Sequence, residues 1–262
     1  MPPPRIASIV PSLTELLFAL DLGDRVVART GFCIHPRDQV RRVPKVGGTK
    51  DVDIDKLLAT KPTHLIVNID ENRKDTIAIL RERIPEIVVT HPLAPDDNRV
   101  LFREFGRLFE CPAAAEPLAA AYHDARAALA AAVLGARPCR VLYLIWKDPW
   151  FTISRDTYVS NLLALANLQT VPAGTTARYP TLDNADSAWQ YADCILLSSE
   201  PYAFRQKHVE QLRQSMAIAK PVLLADGEML SWYGSRAIEG LRYLVTLRAQ
   251  IDAAMPVEGR TT

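Results

Sequence analysis

The residues of this chain that could do chemistry are a few acids, histidines and cysteines and a set of large aromatic rings. Cys33, His35, Glu71, His91, Asp226 and Glu228 are of the types that hold zinc or manganese. None stands in HExxH or another tight ligand spacing, so no metal centre is predicted. Glu71 with Asp226 or Glu228 could share acid–base work. No glycine-rich phosphate turn follows the first predicted strand, which exits into Pro11 and Ser12 instead, and there is no GxSxG elbow. No catalytic residue is assigned, and the chain is not expected to be an enzyme.

The aromatic residues say more. All four tryptophans, Trp146, Trp150, Trp189 and Trp232, lie in the second half. Trp146, Trp150 and Trp232 fall at or near predicted strand exits, with Phe151, Tyr179 and Tyr233. Apolar rings with a few polar tips suit a large, flat or amphipathic ligand. The alternative for each ring is ordinary core packing.

Such residues need elements to position them, and the chain supplies two series of short apolar strands and helices. In the first, strands are predicted at 6–10, 26–28, 64–68 and 87–90. Helices are predicted from Ser12, at 53–59, 74–83 and 100–109. Ser12 and Glu15 have the spacing of a capping box. A long loop at 30–50 holds Phe32, His35, Thr49 and Lys50, and loops of this length are commonly functional. In the second series, strands at 140–146, 194–198 and 221–225 alternate with helices at 157–165, 203–216 and 235–253, and 175–182 reads as irregular. Between the two lies an alanine-rich run, 113–134, with Pro112 and Pro117 near its start and Gly135 after it. It predicts a single helix of roughly 30 Å.

The expected fold is therefore α/β: two lobes with mostly parallel sheets flanked by helices, joined by one long rigid helix. The divisions are 1–111, 112–135 and 136–262. A ligand is expected in the cleft between lobes, near the carboxyl ends of the strands. Pro11, Ser12, Asn68, Asp70, Glu71 and His91 are placed there.

Composition narrows the partners. The chain has 262 residues and a net charge of +1, which does not point to nucleic acid or to an anionic membrane surface. Four cysteines lack CxxC spacing. No apolar run approaches the roughly 20 residues that span a bilayer. The Met-Pro-Pro-Pro start reads as neither signal peptide nor anchor, which predicts a cytoplasmic protein, and a monomer is expected. With a trimmed signal peptide the expectation becomes periplasmic or lipid-anchored.

Several runs resemble a known family. Residues 6–15 (Ile-Ala-Ser-Ile-Val-Pro-Ser-Leu-Thr-Glu), Val46-Gly47-Gly48-Thr49, 54–66, Trp150-Phe151-Thr152 and Tyr233-Gly234-Ser235-Arg236 are similar to the helical-backbone substrate-binding proteins of cobalamin, haem and iron-siderophore ABC importers. Phe32–Pro36, Gly48-Thr49-Lys50, Glu71-Asn72-Arg73, Ser199–Tyr202 and Ser231–Gly234 resemble the cobalamin-binding branch most. The resemblance implies non-catalytic binding of a cobalamin-like corrinoid or another metal chelate, with no intrinsic cofactor. It puts Pro11, Ser12, the turn of Gly48, Thr49 and Lys50, Asn68, Trp150, Phe151 and Trp232 around the ligand, and Phe32, Glu71, Tyr179 and Tyr233 complete the expected binding residues. It implies an ABC-importer permease as partner, docked through acids such as Asp70, Glu71, Asp75 and Glu200. The alternatives are a siderophore, haem or metal ion in the same fold, or a cytosolic enzyme using the cleft. Tyr179 or His35 would be the axial group for haem. Lys50, Arg178 or Arg236 would meet an anionic siderophore.

Overall fold

The computed structural model describes residues 2–255. The chain forms two compact units. Residues 2–92, 96–122 and 232–236 make the first, and 93–95, 123–231 and 237–255 the second.

The first unit is built on a four-stranded sheet of β1 (Ile6–Ser8), β2 (Val26–Arg29), β3 (His64–Asn68) and β4 (Glu86–Thr90), in the order β2-β1-β3-β4 and parallel throughout. Ile6, Ala7, Leu65, Ile66 and Val67 are all buried. Such unbroken apolar runs belong to strands covered on both faces. The crossovers carry helices α1 (Pro11–Ala19), α2 (Arg37–Val40), α3 (Ile54–Ala59) and α4 (Lys74–Arg81), and α5 (Asp97–Leu108) follows β4. Helix α3 begins where Asp53 accepts a hydrogen bond from the Lys56 amide at 3.0 Å. The capping box expected at Ser12 and Glu15 does not form. Val10 is the N-cap of α1, Pro11 takes the first helical position, and no side chain caps the end. Pro11 explains the shift, because its missing N–H and fixed φ suit that first position.

Helix α6 (Pro112–Ala132) is the alanine-rich run. Its buried residues, Ala115, Tyr122, Ala125 and Leu129, form one stripe, and the division between units falls after Tyr122. Pro117 lies inside the helix rather than at its start, so the amide that would bond the Ala113 carbonyl is missing. A Cβ placed on Gly106 of α5 would sit 2.8 Å from the Ala115 Cβ.

The second unit holds a mixed sheet of β5 (Cys139–Trp146), β6 (Trp150–Thr152), β7 (Leu168–Thr170), β8 (Thr181–Leu182), β9 (Cys194–Ser198) and β10 (Val222–Ala225). The order is β10-β9-β5-β6-β8, with β7 also on β5. Strands β5, β7, β9 and β10 run parallel, while β6 and β8 are antiparallel additions. One edge of β5 is shared: Cys139–Val141 pair with β7, while Leu144 and Trp146 pair with β6. Residues 147–149 are thus the bend of a hairpin whose second strand carries Trp150 and Phe151, and 181–182 of the stretch expected to be irregular is a strand. Helices α7 (Tyr158–Ala164), α8 (Ala188–Tyr191), α9 (Gln206–Ser215), α10 (Gly227–Ser231) and α11 (Arg236–Ala254) complete the unit. Residues 227–231, directly after β10, are helical.

A polar cluster fastens the amino end of β5. The Asp193 carboxylate accepts from the Arg140 backbone amide at 2.8 Å and from its Nε at 3.0 Å. The Arg140 guanidinium lies 4.2 Å over the Tyr191 ring. The Lys220 ammonium donates to the carbonyls of Trp189 and Gln190 at the end of α8, where a cation is favoured.

Two predictions follow from this packing. Gly106→Ala gains about 1 kcal/mol of helix propensity but loses about 1–3 kcal/mol to crowding against Ala115. Net destabilisation is expected in a urea melt. The hydrogen bonds from Arg140 hold the Asp193 carboxyl below its usual range. A depressed acid stabilises the fold above its unfolded pKa and stops doing so as pH falls through its folded value. Asp193→Asn should therefore cost about 1–2 kcal/mol at pH 7. The gap to the parent protein should close as calorimetry is carried below about pH 3.

Candidate functional site

In the first unit the carboxyl ends of four parallel strands share one edge, the edge at which ligands of such sheets bind. The exit of β3 is shaped by two asparagines. Asn68 is buried, and its Oδ1 accepts from the amides of Asp70 at 2.8 Å and Glu71 at 3.3 Å. The Asn72 Oδ1 accepts from the Asn68 amide, and its Nδ2 donates to the Ile9 and Thr49 carbonyls at 3.2 and 3.0 Å. This turn leaves Ile69 58% exposed. Thr49 is half-buried and Lys50 exposed, with the Lys50 Nζ 3.4 Å from the Asp70 carbonyl. Phe32 beyond β2 is 62% exposed and lies over the Gly47–Gly48 turn, and Ile34 is 41% exposed. Pro11 and Ser12 sit at the same edge but are buried in the start of α1.

Residues 232–236 pack into this unit through four kinds of contact. The Tyr233 hydroxyl donates to Glu71 Oε1 at 2.6 Å. The Gly234 amide donates to the fully buried Asn98 Oδ1, also at 2.6 Å. Gly234 takes φ +79°, and a Cβ there would lie 3.2 Å from that of Leu16, so glycine suits the position on both counts. Arg236 grips Glu15 with Nε and Nη2 at 2.9 and 2.7 Å. The Trp232 ring meets His35 edge-on at 5.5 Å and lies under the Arg236 guanidinium. Burial first, and then the Glu71 carboxylate, push the Tyr233 hydroxyl well above its usual pKa, which keeps it a donor. Trp232 and Tyr233 are therefore interior rings, at 7% and 5% exposure, rather than open rings at a strand exit.

The acidic residues are mostly engaged. Asp70 is 3.3 Å from His91 Nε2, and Glu71 takes the Tyr233 proton donor. Asp75 is exposed, but two bonds from Arg73 hold its carboxyl down at about 2. Glu200 is half-buried at the exit of β9. Among the described residues no three His, Cys, Asp or Glu side chains gather as a metal set. All four cysteines are free thiols. Burial raises Cys139 to about 11 and Cys194 to about 12, so neither is a thiolate nucleophile near neutral pH.

In the second unit the rings form a connected series. Trp150 stands edge-on to the buried Trp189 at 5.5 Å and parallel to Phe204 at 6.3 Å. Phe204 meets Tyr202 at 4.7 Å, and Tyr202 meets Trp146 edge-on at 5.5 Å. His208 packs on both Tyr202 and Phe204. Trp150 and Phe151 are half-buried on β6, and Tyr179, just before β8, is 44% exposed. Trp146 ends the series at 41% exposure, at the carboxyl end of β5. Arg178 is spent on Asp156, at 3.0 Å to its carbonyl.

Ile34, Ile69 and Tyr202 are not among the binding residues expected from sequence, and Trp146 is named there only as a strand-exit ring. Ile69 had a readable signal, since it directly follows a buried strand as an apolar residue in an acidic turn. Trp146 was visible as a strand-exit ring but equally as core. Tyr233→Phe should remove a donor from a half-buried carboxylate and cost about 1.5–3 kcal/mol in a urea melt. Glu71→Gln should cost less, because its amide oxygen still accepts. A Tyr233→Phe change under about 0.5 kcal/mol would contradict the assigned bond.

Comparison with known proteins places this geometry. The model of the family "Periplasmic binding protein" matches residues 6–220. The vitamin B12-binding protein of Pectobacterium atrosepticum is 20% identical over 259 residues, covering 96% of this chain and 91% of the relative. The periplasmic vitamin B12 binding protein BtuF of Vibrio cholerae superposes with a TM-score of 0.82 at 19% identity, over 96% of this chain and 98% of that one. A periplasmic heme binding protein from Pseudomonas aeruginosa gives a TM-score of 0.80 at 20% identity, over 98% and 95%. The expectation of a cytoplasmic protein finds no support here, since the family and both solved structures are periplasmic by name. No helix among the described residues is long and apolar enough to cross a membrane. With more than three-quarters of its length matched by the family model, the chain belongs to the periplasmic binding protein family.

Proposed function

We propose that this protein binds a cobalamin-like corrinoid without transforming it, and delivers it to an ABC-importer permease on the outer side of the cytoplasmic membrane. The corrinoid is cargo, and the protein needs no resident cofactor. The observation that carries the reading is the character of what the strand exits leave exposed. Phe32, Ile34 and Ile69 in the first unit and Trp146 in the second are large and apolar. Leaving such groups in water is unfavourable, and covering about 100 Å² of a ring is worth about 2.5 kcal/mol. A broad macrocycle with an apolar face is the kind of ligand that would cover such groups on either unit. The names of the relatives support the same class. Cations suited to an anionic siderophore are largely committed, Arg236 to Glu15 and Arg178 to Asp156. For permease docking, Glu200, half-buried at the exit of β9, is the first acid we would replace.

A second reading, haem, rests on Tyr179, whose ring is exposed and carries a phenol suited to iron, and on the likeness to the Pseudomonas heme binding protein.

Titration with cyanocobalamin, cobinamide and haemin, followed by tryptophan fluorescence and calorimetry, separates the readings. The corrinoid reading expects saturable one-to-one binding of about micromolar affinity or tighter, near −8 kcal/mol. Trp146→Ala should weaken it by about tenfold or more. Binding of haemin alone, with an absorption spectrum altered by Tyr179→Phe, would replace it with the second reading. Binding of none of the three by folded protein would defeat both.

A further inference from the structure

The loop after β2 is organised by one buried side chain. Residues 30–44 leave the sheet at Arg29 and return to it: the Arg29 amide donates to the Pro44 carbonyl at 3.0 Å, and the Val46 amide donates to the Arg29 carbonyl at 2.9 Å. The Arg29 side chain turns into the loop and is 3% exposed. Its Nε donates to the Val40 carbonyl at 2.8 Å, and its Nη1 donates to the carbonyls of Thr30 and Cys33, each at 3.0 Å. Among the described residues no carboxylate lies within ion-pair distance of it. The interior of a loop this size strands backbone carbonyls away from water, and each needs a donor. A guanidinium offers five donors in a rigid fork, which an ammonium cannot reproduce. The cation is thus held by carbonyls alone, and its burial lowers its pKa.

What the loop presents depends on the residue that this fork grips. Cys33 is fully buried, with its thiol 3.1 Å from the Thr14 hydroxyl and 3.2 Å from that of Thr30. Its neighbours on either side, Phe32 and Ile34, face outward as the most exposed apolar groups of the loop. Fixing the carbonyl and the side chain of Cys33 fixes the directions of the two residues flanking it. The Gly31 amide donates to the Gly47 carbonyl at 2.7 Å and anchors the near side of Phe32.

We propose that Arg29 is a positioning residue of the ligand-binding face, holding Phe32 and Ile34 in place through Cys33 without touching the ligand. This rests on the corrinoid reading for its affinity test, and on nothing but the loop geometry for its structural test.

The structural test is hydrogen exchange on the intact wild-type protein and on Arg29→Lys and Arg29→Gln. In wild type, the amides of Gly31, Cys33, Val40 and Val43 should be protected. In the variants they should exchange at least tenfold faster while His64–Asn68 of β3 stay within twofold. Free exchange of the loop in wild type, or equal loss of protection in loop and β3, would overturn the proposal, and the wild-type arm decides even where a variant does not fold. The affinity test is a double-substitution cycle with cyanocobalamin. Arg29→Lys should weaken binding at least tenfold alone, and less than about twofold further in a Phe32→Ala background. Full multiplication of the two effects would show that Arg29 does not act through the ring. A wild type that binds no corrinoid would defeat the corrinoid reading and leave the exchange result standing.

Discussion

Parallel strands cannot be joined by a tight turn, so each must be followed by a crossover that returns the chain to the same starting edge. In the first unit that constraint acts on four strands at once, and everything functional about the unit descends from it. Loops that follow the strands collect at one edge, where side chains distant in sequence become neighbours. Phe32, Asn68, Asp70, His91 and the start of α1 all follow strand ends at that edge because β2, β1, β3 and β4 point the same way. The second unit keeps the constraint for β5, β7, β9 and β10 and relaxes it at one side, where β6 and β8 form antiparallel additions that carry Trp150 and Phe151.

The exposed edge is shaped by polar side chains that are themselves out of sight. Asn68 and Asn72 fold the turn after β3, Arg29 fills the loop after β2, and Tyr233, Asn98 and Arg236 hold residues 232–236. Each bond of this kind is worth only about 1 kcal/mol net, but an unpaired buried partner costs more than that. Such groups therefore define geometry more than they add stability. The apolar residues they leave outside, Phe32, Ile34 and Ile69, are the ones that a ligand can cover.

How much of this was legible in the sequence varies with the range of the interaction. Apolar runs at 64–68 and 194–198 and the alanine-rich helix declare themselves locally, because strand and helix patterns are short-range. Asp53 as the cap of α3 is equally local. The Ser12–Glu15 capping box is a local pattern that lost to a distant one: Pro11 took the first helical position, and Glu15 is held by Arg236, 221 residues away. Trp232 and Tyr233 look like ligand-facing rings from their place after a strand, yet they are interior because residues 232–236 return to the first unit. Nothing within ten residues of either ring signals that return. Asn68 was visible as a strand-exit residue, but its work in the turn depends on spacing to Asp70 and Glu71 that a helix or a loop could equally use.

The central claim is that a corrinoid is held by the apolar side chains left exposed at the strand exits. Crystals of the protein grown with saturating cyanocobalamin test it most directly. The account predicts a single bound corrinoid whose ring or side groups cover Phe32, Ile69 or Trp146, with Trp232 and Tyr233 still interior. A corrinoid seated away from all three of those side chains, or crystals that remain empty at saturation, would contradict it.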